Sequence, residues 1–149
     1  MRNFLKLFLL CRAFTNVVQA QPLPKDSPEL KQLIAMGYEI MKEERGAKLT
    51  IADNGNSKVI ITKNAERTAI FRSFTREKKL DSAQELELYK IINQINTDLA
   101  YQVSITDTSI SFCLYDYGAY NPKTFSKIIR LIEQVDSMWD KYPALYKYN

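Results

Sequence analysis

The chain of 149 residues is long enough for one domain with one core, and 46% hydrophobic with 26% charged residues is an ordinary globular balance. The absence of histidine excludes Ser-His and Cys-His nucleophile pairs and histidine proton shuttles, and two cysteines, Cys11 and Cys113, are too few for a thiolate zinc site. Its four glycines stand singly, so neither a Gly-x-Gly-x-x-Gly turn nor a phosphate-binding loop exists, and no catalytic residue, cofactor or metal is assigned.

Residues 1–20 read as a secretory signal. Arg2 and Lys6 give a basic start, Leu7 to Cys11 an apolar stretch, and Val18-Gln19-Ala20 a cleavage pattern that would leave Gln21 first. This predicts a periplasmic or secreted protein. Arg12 interrupts the apolar centre, and the alternative is a short amphipathic helix on a cytoplasmic protein. A spanning helix needs about 20 consecutive apolar residues, so no stable membrane anchor is expected. The segment holds three of the 21 basic residues and none of the 17 acidic ones, leaving 18 against 17. A remainder so close to neutral has no electrostatic footprint for nucleic acid.

Pro22 and Pro24 mark residues 21–27 as an extended linker. Ser27 then caps a helix with Pro28 in its first position, Leu30, Leu33 and Ile34 as its apolar face, and Gly37 as its end. Alternation takes over at Tyr38 and Ile40. After a turn at Glu44-Arg45-Gly46 come Leu49 and Ile51, and the Asn54-Gly55 step predicts a hairpin into Val59-Ile60-Ile61. Thr68 to Thr75 is apolar on both faces (Ile70 and Phe74 against Ala69 and Phe71), the pattern of a central strand covered on both sides. The basic residues trailing from it, Arg72, Arg76, Lys78 and Lys79, are balanced by Glu66, Glu77, Asp81 and Glu85 and read as a solvated strand end.

Asp81 with Gln84 forms a capping-box pattern, with Leu80 placed to staple onto Leu86. Leu88, Ile91, Ile92, Ile95 and Leu99 give the helix a core-facing stripe. A hairpin follows, with Tyr101, Val103 and Ile105 turning through Thr106-Asp107-Thr108 into Ile110, Phe112 and Leu114. Its other face carries Gln102, Ser104, Ser109, Ser111, Cys113 and Tyr115, which makes these six the candidate partner-binding residues; a simply solvated face is the alternative. Asn121 and Pro122 start a last helix whose buried face is Phe125, Ile128, Ile129, Ile132, Val135 and Trp139, ended by Pro143. Residues 143–149 form a tail expected to pack on the domain of residues 28–142.

This order of elements, with Gly37-Tyr38, Asn93-Gln94-Ile95-Asn96 and Leu114-Tyr115-Asp116-Tyr117, resembles the YbjN-like family of bacterial sensory transduction regulators over residues 28–142. The resemblance implies an α+β fold like that of type III secretion chaperones: an antiparallel sheet of five to six strands with three helices, in the order helix, three or four strands, helix, two strands, helix. It also implies a protein-binding, regulatory or chaperone-like role and a homodimer, and it transfers no catalytic residue. The expected function is therefore a non-catalytic binding module with a protein partner. The alternatives are a toxin-immunity or secretion-specific chaperone, and a small hydrolase pairing Asp107 with Asp116.

Overall fold

The computed structural model describes residues 21–41, 49–76 and 79–148. The signal expected in residues 1–20, the turn expected at Glu44-Arg45-Gly46, and Glu77 and Lys78 lie outside the described residues.

Helix α1 (Pro28–Ala35) begins as expected, with the Ser27 hydroxyl accepting from Leu30 N–H and Pro28 in the first turn, where no N–H is needed. Gly37 then reverses the chain at φ 88°, a conformation that favours glycine, and delivers Tyr38 to the core. The helix buries Leu33 and Glu29, whereas Ile34 is 56% exposed. Ile34 therefore does not belong to the apolar face predicted for it.

Six strands follow: β1 (Glu39–Ile40), β2 (Thr50–Asp53), β3 (Lys58–Lys63), β4 (Arg67–Thr75), β5 (Gln102–Ile105) and β6 (Ser109–Tyr117). They form one antiparallel sheet in the order β1-β2-β3-β4-β6-β5. The β2–β3 hairpin turns at Gly55, φ 82°, where the Asn54 carbonyl oxygen of the side chain gathers the N–H groups of Asn56 and Ser57. Helix α2 (Ser82–Asp98) enters between β4 and β5 through a complete Asp81–Gln84 capping box. Leu80 is buried but Leu86 is 58% exposed, so the expected staple between them is not made.

The fold is α+β, as predicted, but the sheet is covered on one face only among the described residues. One buried cluster joins Leu33 of α1, Leu88, Ile92 and Ile95 of α2, and Ile61, Ile70, Ile110 and Phe112 of the strands. Helix α3 (Pro122–Glu133) adds Phe125, Ile128, Ile129 and Ile132 to it. β4 is central, yet its Ala69 and Phe71 point to the uncovered side, where cross-strand neighbours shield them in part. In β2 the expected apolar residue Ile51 also faces outward. Thr50 and Ala52 are the buried pair, and Thr50 Oγ1 accepts a hydrogen bond of 2.8 Å from Leu23 N–H.

That bond corrects the linker reading. Leu23 is buried, and Gln21 makes an isolated antiparallel bridge to Lys63, so residues 21–27 are stitched to the sheet. The last helix is also interrupted. Residues Gln134–Asp136 tighten to a 3-10 turn before a fourth helix, α4 (Ser137–Lys141), and Pro143–Tyr148 form a further 3-10 segment. The interruption lets Val135, Met138, Trp139, Leu145 and Tyr148 all reach the core. The terminal stretch is part of the domain rather than a tail beyond it.

Candidate interaction surface

Strand pairing puts all six predicted partner-binding residues on the uncovered face. Gln102 lies opposite Cys113, Ser104 opposite Ser111, and Ser111 in turn opposite Ser73 of β4. Ser73 and Ser111 share a hydrogen bond of 2.9 Å, and Thr106 and Ser109 one of 2.8 Å. The serines thus form a polar quarter at the turn end of the β5–β6 hairpin.

Sequence alternation in one hairpin missed the apolar centre of this face. Ile51, Ile60, Phe71 and Cys113 stand in register across β2, β3, β4 and β6, with Gln102 of β5 completing the row. Thr62, Ala69 and Tyr115 form the next row. The apolar side chains are half-buried, shielded by each other but capped by nothing among the described residues. Pairing Ile51 and Phe71 with Cys113 needs the strand order, because those residues lie 20 and more positions apart in sequence.

Burial pushes the Cys113 thiol up to about 11, with small opposing effects from Tyr115 and the Arg67 guanidinium. Tyr115 is likewise pushed up to about 12, first by burial and then by Cys113 beside it. Arg67 lies 4.3 Å above the Tyr115 ring, a cation–π contact, and Tyr117 stands 5.9 Å from Tyr115 and is 65% exposed. The thiol is therefore on the outer face, as alternation requires, but it is half-buried rather than bare and stays protonated near neutral pH.

The carboxylate pair proposed from the sequence does not assemble. Asp107 lies in the β5–β6 turn and Asp116 near the far end of β6. Seven residues of β6 lie between them, a separation of roughly 20–25 Å at ~3.3 Å per residue, whereas glycosidase-type pairs stand about 5–9.5 Å apart. Asp116 instead neighbours Glu29, and burial together with that carboxylate raises its pKa. Glu29 is 2% exposed, bonded through Oε1 to Lys63, and has no partner at Oε2. The pair with Lys63 ties α1 to β3. Among the described residues no group of three or more His, Cys, Asp or Glu could hold a metal ion, and no helix is long and apolar enough to cross a membrane.

Of the basic residues in and after β4, Lys79 is exposed as expected, whereas the two arginines are structural rather than solvated. Arg72 turns to the helix side and bonds Asp136 Oδ2 at 2.8 Å and the Glu133 carbonyl at 3.3 Å. Arg76 is 7% exposed and donates to the Thr106 carbonyl at 3.1 Å.

No family model matches the chain, and no curated protein matches it. Among solved structures, the crystal structure of YbjN from E. coli, a proposed transcription regulator, superimposes with a TM-score of 0.55 at 13% identity. The match covers 72% of this chain and 82% of that one. The fold is YbjN-like. Within it, the polar marks noted in the sequence acquire physical roles. Tyr38, after the Gly37 reversal, donates a hydrogen bond of 2.6 Å to Glu133 Oε1 at the end of α3. Asn96 mimics a seventh strand: its Oδ1 accepts from Val103 N–H at 2.6 Å and its Nδ2 donates to Val103 C=O at 3.3 Å. The side-chain amide thereby closes part of the outer edge of β5, which would otherwise invite another strand. With this edge blunted, the open face is the broad surface of the sheet left uncovered among the described residues.

Proposed function

We propose that the protein is a non-catalytic, protein-binding regulatory module, and that its open sheet face packs against a second copy of itself. The observation that carries this reading is the row Ile51–Ile60–Phe71–Cys113, uncapped among the described residues. It spans four adjacent strands and is free of charge. Interface cores are depleted of charge and rimmed by polar groups, and here Lys58 and Asp53, Arg67, and the serines occupy the margins. Beyond residue 20 the chain holds 18 basic and 17 acidic side chains, so two copies meet without net repulsion. A symmetric pair would cover Phe71 and Cys113 of both copies by one self-complementary contact. YbjN supplies the regulatory half of the proposal only through the shared fold.

Sedimentation equilibrium of the full chain from about 1 to 100 μM tests the reading, a range that brackets interfaces of ordinary strength. The expected result is a monomer–dimer equilibrium abolished by Phe71→Lys, with the variant monomer still folding cooperatively and its thermal midpoint lowered by no more than about 10 °C. A chain that stays monomeric across the range, or dimerises equally well with Lys at position 71, overturns the proposed self-interface.

A further inference from the structure

A second surface lies on the helical side of the molecule, opposite the open face. Because Phe125, Ile128, Ile129 and Ile132 commit one side of α3 to the core, Lys123, Lys127 and Arg130 line up on its outer side. They border a groove of about 550 Å³ between α3 and α1. Pro122 and Leu131 give its floor apolar surface, and Gln32 of α1 donates a hydrogen bond of 3.0 Å to Ser126 across it.

Among the described residues that line the groove, the charge has one sign. The ion pairs among the described residues are Lys58–Asp53, Lys63–Glu29 and Arg72–Asp136, so none of the three groove cations has a carboxylate partner there. The one acid of α3, Glu133, is turned away and engaged by Tyr38 and Asn54. The N-terminal end of α3, capped by Asn121, adds the positive pole of the helix dipole at Lys123. In a protein so nearly neutral beyond residue 20, this concentration is local and uncompensated.

We infer that this groove docks an acidic amphipathic helix of a partner protein. Positions 123, 127 and 130 repeat at i, i+4 and i+7 and span about 10 Å at ~1.5 Å per residue. Carboxylates at the same spacing on a facing helix meet them one for one, while that helix's apolar residues cover Pro122 and Leu131. Three cations on one line are few for a nucleic acid, whose binders commonly neutralise about 6–10 phosphates. A phosphate backbone also makes no use of an apolar floor.

The experiment titrates full-length protein into a fluorescein-labelled helical peptide carrying Glu at i, i+4 and i+7 beside leucines, at low salt. A Glu→Gln version of the peptide and a single-stranded 20-nucleotide DNA serve as comparison probes. Tighter binding of the Glu peptide than of its Gln twin is expected. It should weaken at least about tenfold in the Lys123→Glu/Lys127→Glu/Arg130→Glu variant and again on raising salt to about 0.3 M, where the screening length falls below about 6 Å. The three positions are exposed, so the variant should keep the wild-type thermal midpoint. Phe71→Lys should bind the peptide as wild type does, which separates this groove from the sheet face. Equal binding of the Glu and Gln peptides, indifference to the charge reversal, no binding at all, or DNA that binds tighter and displaces the peptide would each overturn the inference.

Discussion

The two faces of the sheet are built from similar side chains and differ in what lies over them. On the helix side, Ile61, Ile70, Ile110 and Phe112 are wholly buried, and Phe112 meets the rings of Phe74, Tyr101 and Trp139 edge-on at 6.0–6.5 Å. On the open side, Ile51, Ile60 and Phe71 sit in the same sheet and stop at half-burial. Composition alone does not separate the two. The contrast teaches that an apolar residue in a strand reports proximity to some contact, while only the third layer decides whether that contact lies within the chain or beyond it.

The sharpest way to break this comparison is to truncate one aromatic on each side. Trp139, 5% exposed and 5.2 Å from Phe74, should cost about 3–5 kcal/mol on Trp139→Ala, the usual loss for a buried aromatic. Phe71→Ala should cost the monomer clearly less, about 1–2 kcal/mol, because its ring leaves a surface rather than a cavity. Urea midpoints measured at concentrations low enough to hold both proteins monomeric give the ratio. Equal losses would mean that something in the chain already covers the open face.

A smaller effect is expected where the covered side is polar. Lys63→Ala strands the Glu29 carboxylate, which is 2% exposed. Breaking a buried pair from one side costs about 3–5 kcal/mol, and the lower end or less applies here because the Lys63 side chain is 37% exposed and partly screened. Glu29→Gln/Lys63→Met removes both charges and should recover most of the loss. If the double variant is no more stable than Lys63→Ala, the pair is not what holds α1 to the sheet.

Much of the fold was legible because local chemistry and global position agree. Ser27-Pro28, Asp81 with Gln84, Asn54-Gly55 and Asn121-Pro122 each act where their chemistry predicts. The failures share a cause. Ile34 and Ile51 look like core residues by period, yet partners distant in sequence took those places, Glu29 with Lys63 and Thr50 with Leu23. The hairpin half of the candidate surface followed from alternation, whereas its apolar centre required knowing that β4 lies between β3 and β6. Nor could the sequence show that Asn96 closes the β5 edge, since a side-chain amide carries no periodic signature.

The open face also sets the mildest expected effect, which pH reveals. The folded chain holds the Cys113 thiol protonated up to about 11 against an ordinary value of 9.0, and Tyr115 up to about 12. In the unfolded chain both groups release their protons earlier. Above pH 9 the unfolded state therefore binds fewer protons than the folded one, and stability falls as pH rises. The loss begins near pH 9 and deepens through 11; below 9 the contribution is complete. Tyr38 and Tyr101, also raised by burial, act in the same direction, so the Cys113 share is read as a difference from Cys113→Ser. Urea midpoints between pH 8 and 11 should decline less steeply in the serine variant. Thiol chemistry gives the same quantity independently. The raised pKa lowers the thiolate fraction near neutral pH, so the monomer should react with a maleimide more slowly than a free thiol. Self-association would slow it further in proportion to the dimer present, and the concentration dependence isolates that part. A monomer that reacts at the free-thiol rate would show Phe71 and Tyr115 failing to shield Cys113, and the open face would then be looser than its half-burial implies.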